Sequence, residues 1–161
     1  MNKYILLSAT ALVAVLSFNA KAADSATGTA QVEVVQAIDI NHADADSLNF
    51  GSVYAKDGNT VVITQGGARD SGKGFGNTSA DKFTISGPNG GSCTVTIPST
   101  ATMNKSGGGS LTATLNPSTA SGSTINLTGT DVVINIGGSV TVSSSTATGS
   151  YSGTYTVSIA Y

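Results

Sequence analysis

The one histidine of this chain, His42, stands in the run Asp39-Ile40-Asn41-His42-Ala43-Asp44-Ala45-Asp46. Carboxylates and amides at this density are the hard oxygen donors that calcium takes. The run lacks the central glycine and distal glutamate of the helix-loop-helix calcium loop, and imidazole is a poor calcium ligand. It therefore reads as a solvated loop whose Asx side chains bond their own backbone. A serine hydrolase would need His42 as its base, yet no G-x-S-x-G elbow is present. The glycine-rich stretches GGARDSGKGFG and SGGGS lack the G-x-x-x-x-G-K-[ST] spacing of a phosphate loop. Glu33 is the single glutamate, and the remaining acids fall on loops, which gives no carboxyl pair suited to glycoside hydrolysis. The expectation is a protein that is not an enzyme, with no catalytic residues, no metal site and no cofactor.

Cys93 is the single cysteine, so no intramolecular disulfide can form. In Cys93-Thr94-Val95-Thr96-Ile97 the odd positions are apolar, which predicts a buried, inert thiol. Thr-x-Thr pairs recur at Thr94/Thr96, Thr112/Thr114, Thr128/Thr130, Thr146/Thr148 and Thr154/Thr156. Their spacing is uneven, so they make no repeating ladder and serve as the polar faces of ordinary strands.

What positions these residues is a series of short alternating blocks. The chain opens with Lys3, an apolar run from Tyr4 to Phe18 and the triplet Ala20-Lys21-Ala22. These are the parts of a secretory signal peptide, 1–22, cleaved after Ala22. The run is too short for a comfortable membrane span and no second one follows. Export places the remaining chain, 23–161, in the periplasm, at the cell surface or outside the cell. The net charge is −2, and Lys56, Arg69, Lys73, Lys82 and Lys105 are dispersed. Neither nucleic acid nor anionic lipid is an expected partner.

From residue 23 onward no helical periodicity appears, while Val, Ile and Thr alternate with polar residues. Ala26, Gly28, Ala30, Val32 and Val34 share one parity, continued by Ile38 and Ile40, as one long strand or two broken near Gln36. LNFGSVY enters a strand, Asp57-Gly58 signals a hairpin, and Val61 to Thr64 returns. DKFTISG and SCTVTIP follow as strands, whereas Ser99 to Gly109 reads as a loop. In SLTATLNP, Pro117 ends the strand, and in DVVINIGGSVTV the pair Gly137-Gly138 marks a bulge or tight turn. The last residues alternate best of all: Tyr155, Val157, Ile159 and Tyr161 on one face, with Tyr151 ahead of them. Evenly spaced short strands with turn signals predict an all-β, antiparallel β-sandwich of Greek-key or jelly-roll topology, forming a single domain.

The ordered landmarks LNFGSV, GGARDSG, DKFTISG, CTVTIP, IGGSVTV and GSYSGTYTVSIAY resemble a bacterial family of secreted domains of unknown function. The tail is also similar to fimbrial (pilin-like) and spore-coat-protein-U-like subunits. The resemblance implies an immunoglobulin-like sandwich, self-assembly or assembly with other fimbrial subunits, and handling by a periplasmic chaperone and an outer-membrane usher. It implies assembly by β-strand complementation, in which a subunit's open edge takes a partner's N-terminal strand. Residues 23–34, with Ala26, Gly28, Ala30, Val32 and Val34 on the apolar face, are then the donor; in a self-complete monomer they are an edge strand. Tyr151, Tyr155, Val157, Ile159 and Tyr161 form a closing strand that also serves as the chaperone's edge. The alternative expectation is a monomeric binding module, an adhesin or carbohydrate-binding domain.

Overall fold

In the computed structural model, residues 24–70 and 72–161 are described, and the expected signal peptide lies outside them. Every element among them is a strand. In chain order they are β1 Asp39–His42, β2 Ser52–Val53, β3 Asn59–Ile63, β4 Gly74–Phe75, β5 Asp81–Ser86 and β6 Ser92–Thr96. They continue with β7 Thr100–Lys105, β8 Ser110–Pro117, β9 Thr124–Asn126, β10 Val132–Val142, β11 Tyr151–Ser152 and β12 Ser158–Ala160. The chain divides into two units, Met1–Glu33 and Val34–Tyr161. Of the first, the described residues 24–33 are exposed and carry no strand.

The alternation read from the sequence forms the strands because it lets each bury one face. In β5, Phe83 and Ile85 are buried while Lys82 is exposed; in β8, Ala113 and Leu115 are buried while Thr112 and Thr114 are exposed. Pairing is antiparallel throughout. A seven-stranded sheet runs β1-β5-β10-β8-β7-β11 with β3 also on β10; a second sheet runs β12-β6-β9, and β2 and β4 form a ribbon. Within the large sheet only β7 and β8 pair as sequence neighbours, so the topology is no simple meander. The expected antiparallel β-sandwich is the architecture found.

β10 organises the large sheet. Residues Val132 to Ile136 pair with β5 and Gly138 to Val142 with β3, while β8 spans Ile136 to Val140. Since β8 overlaps both, it holds the opposite edge. Gly137-Gly138 therefore sits where one edge changes partner, inside a continuous strand rather than at the expected bulge or turn. The reason is close approach: a Cβ on Gly137 would run into Ile63 O, and one on Gly138 would lie 2.7 Å from Thr114 O.

Three other expectations are corrected. Asp57-Gly58 does turn the chain, with Gly58 at φ 67°, but β3 leaves it to pair with β10, and no β2–β3 hairpin forms. Asp57 Oδ1 instead accepts 2.8 Å hydrogen bonds from Ser144 N and Oγ, which hold its carboxyl below the usual range, the backbone bond foremost. Residues Thr100 to Lys105, expected in a loop, form β7, because Ala101 and Met103 alternate inward against Ala113 and Leu111 of β8. Of the strand expected from Ala26, whether one long run or two broken near Gln36, only β1 forms, since 24–37 carry no strand.

The core has two parts. The larger joins both sheets: Ile85, Leu115, Ile134 and Ile136 from the large one, and Cys93, Val95 and Ile125 from the small one, with Val157 beside them. The smaller comprises Phe50, Val61, Ile63, Ala113 and Val140 and contains no residue of β6, β9 or β12. By parity along β8 and β10, both lie on the same face of the large sheet.

Candidate functional site

The closing segment divides. Tyr151 and Ser152 pair with Lys105 and Asn104 of β7, whereas Ser158, Ile159 and Ala160 pair with Thr96, Val95 and Thr94 of β6. The chain thus crosses from the large sheet to the small one between Gly153 and Val157. Val157 is buried and Tyr155 and Ile159 pack on the main core, while Thr154, Thr156, Ser158 and Ala160 are exposed. Tyr161, expected to share the inner face, is 83% exposed. Its hydroxyl donates to Ile38 O at 2.7 Å, tying the last residue to the start of β1.

Beside this crossing lies a buried carboxylate that sequence reading missed. Asp81 begins β5 at the parity of Phe83 and Ile85, an acid on an apolar face, and that was the available signal. Its Oδ2 accepts a 2.5 Å bond from the Tyr155 hydroxyl, and its Oδ1 lies 2.7 Å from His42 Nε2 and accepts from Lys82 N. Both oxygens are satisfied, as a buried charge requires. The network joins β1, β5 and the closing segment, and the Phe83 ring packs tilted against His42 and Tyr155 along it. Burial, together with the Asp81 hydrogen bond and charge, pushes the Tyr155 phenol far above its usual range.

The acidic run is not the expected solvated loop throughout, since Asp39 to His42 form β1 by pairing with β5. Asp39, Asn41 and Asp46 line a shallow pocket with Lys82 and Asp131. Asp39 Oδ1 accepts from Ile40 N, and Asp46 lies 3.4 Å from Lys82 Nζ. Among the described residues no group of three or more His, Cys, Asp or Glu is placed to hold a metal ion. Cys93 is buried, as its parity predicts, and burial pushes its thiol up.

The remaining feature is a groove of about 470 Å³ over the smaller core. Its floor is Leu48, Phe50, Met103, Leu111, Val140 and Val142, and its rim carries Ser52, Thr146, Thr148 and Ser150. One wall is the segment around β2. Arg69, from the GGARDSG stretch, pins it by donating from Nη1 to Phe50 O at 3.2 Å and to Phe75 O at 3.0 Å. The other wall is Thr146 to Tyr151, closed by the Tyr151 hydroxyl donating to Ala147 O. Among the described residues, none that lines the groove is charged.

The candidate donor residues Ala26, Gly28, Ala30, Val32 and Val34 lie in an exposed stretch, with Val32 and Val34 at 87% and 89% exposure. They make no edge strand among the described residues.

These features define an all-β sandwich domain whose inner face is covered partly by a second sheet and partly by the β2 segment, with an exposed, strand-free stretch over the described residues 24–37. The chain belongs to the family described as Domain of unknown function (DUF4402), whose model matches residues 38–161. That match begins at buried Ile38 and leaves the exposed segment outside. Neither the curated proteins nor the solved structures yield a match.

Proposed function

We propose that this chain is a secreted, non-enzymatic structural protein of the cell surface, a pilin-like subunit that assembles by β-strand complementation. The observation that carries this reading is the stretch 24–37, exposed and strand-free, with alternating small and apolar side chains ahead of a β-sandwich. Val32 and Val34 lose nearly all the benefit of burial while exposed and recover it on a neighbour. The leader delivers the chain to the periplasm, where a chaperone and an outer-membrane usher act on it. Ile159 and its flanking residues in β12 end their sheet with an outer edge that no described strand covers, the kind of edge a chaperone strand pairs with.

Electron microscopy and native gels of the chain without its leader test this. Fibres or ladders are expected, with loss of both on deleting 23–34 and a retained β-type circular dichroism spectrum. A single monomeric species at all concentrations would contradict it. One observation favours a second reading, a monomeric saccharide-binding module: Tyr54 and Phe75 form an exposed ring pair with centroids 5.8 Å apart. Saccharide-dependent quenching of tyrosine fluorescence, lost in Tyr54→Ala, would support that module.

A further inference from the structure

We infer that the groove over the smaller core is the acceptor for residues 26–32 of a second copy of this chain. The inference rests on the assembly reading above and adds which surface receives the donor.

The first ground is the floor. Along β8 and β10 the inner face of the large sheet continues past the small sheet. There Val61, Ile63, Ala113 and Val140 are buried beneath Leu48, Phe50 and Val53 of the β2 segment, while Leu48, Met103 and Leu111 stay half-buried along the groove. A sheet face covered by a short strap of chain rather than a second sheet leaves half-buried apolar side chains that an added strand can cover.

The second is the backbone. Ser52 and Tyr54 make the ladder bonds between β2 and β4, with Tyr54 N donating to Lys73 O, so the alternation of an antiparallel pair turns Val53 N–H and C=O away from β4. Val53 lines the groove. On the opposite wall, Thr148 and Gly149 make no backbone hydrogen bond among the described residues. An extended chain between the walls finds main-chain partners there.

The third is the match of occupant to site. Ser25 to Val32 is uncharged, as is the groove lining, and charge resumes at Glu33. Seven extended residues span roughly 23 Å. Their inward parity presents Ala26, Gly28, Ala30 and Val32, small side chains suited to a shallow groove whose floor is already partly filled by Phe50. The segment is exposed in the single chain, so it is available to a neighbour.

Cysteine pairing between two chains tests the assignment. A tagged Val32→Cys chain is mixed with an untagged Thr148→Cys chain under mild oxidation; both positions are exposed and native Cys93 is buried. The expected result is a tagged–untagged covalent dimer at least tenfold above that with a Ser158→Cys chain, whose position lies on β12. Equal or greater pairing with Ser158→Cys, while fibres still form, overturns the groove assignment and leaves the assembly reading standing. No covalent pairing and no fibres overturn both. A second variant removes dependence on oxidation: Gly28→Trp has open space around its Cβ, so the single chain folds unchanged. It should lose fibres entirely, whereas Thr29→Trp, of opposite parity, should keep them. Fibres of normal yield from Gly28→Trp would contradict the inference, as would binding of a different molecule that fills the groove without affecting assembly.

Discussion

The two halves of the large sheet's inner face are built from similar residues and finished differently. Near Ile134 and Ile136 the face meets a second sheet, and side chains from both interdigitate until those isoleucines are fully buried. Near Val140 and Ala113 it meets only a strap of irregular chain, and Leu111 and Met103 remain half-buried beside a groove. The small sheet has three strands, and the closing segment supplies one of them by crossing over after Gly153. A sandwich with unequal sheets is complete at one end and open at the other. Both ends bury core side chains, Val61 and Ile63 as fully as Ile134 and Ile136, but only the open end keeps half-buried Leu48, Met103 and Leu111 along a groove.

Substitutions separate the halves by size of effect. Val157→Asp, at the crossing, buries an unpaired charge in the complete half and should cost about 4 kcal/mol, read as a collapse of the urea unfolding midpoint. A small shift would remove the distinction between the halves. Tyr155→Phe deletes a donor to buried Asp81 and should cost about 1–2 kcal/mol. The same residue sets an alkaline signature. Because its folded phenol stays protonated above its unfolded value, the contribution of Tyr155 to stability is constant below about pH 10 and falls as pH rises beyond it, where only the unfolded chain releases the proton. In Tyr155→Phe that part of the decline should vanish. Leu111→Ala, in the open half, should cost about 1 kcal/mol in the single chain, less than the loss at a fully buried leucine. Asp57→Ala should give the smallest shift in midpoint, since only two exposed hydrogen bonds to Ser144 are lost, and that difference should fade in acid as the wild-type carboxylate takes up its proton.

Most of the strands are legible because alternation is a local property. β5, β6, β8, β10 and the closing segment all follow parities visible in the residues. What failed was pairing. Asp57-Gly58 signals a hairpin, but β3 finds its partner in β10, more than seventy residues later, and no local signal encodes that. β7 reads as a loop in the sequence because Thr100 to Lys105 offers one alanine and one methionine to the interior, and β8 supplies the rest. The candidate closing residues do not make the one strand their alternation suggests. Tyr151 and Ile159 lie in strands of different sheets, Tyr155 and Val157 lie in the strand-free crossing between them, and the Tyr161 ring stays in solvent while its hydroxyl reaches Ile38 O. Asp81 carries a legible signal, the inward parity of an acid among apolar residues, but nothing in the sequence names Tyr155 and His42 as its partners. The groove left no trace in sequence, being the consequence of one sheet having fewer strands than the other. The segment 26–34 showed its alternation plainly, and the same alternation fits a strand of this molecule or of another.

The most direct test compares amide hydrogen exchange in assembled wild-type chain and in monomeric Gly28→Trp chain. The account predicts slowed exchange on assembly at residues 26–34 together with Val53, Thr148 and Gly149, the two walls of the groove. Unchanged exchange at those walls, with slowing confined to β12, would contradict it.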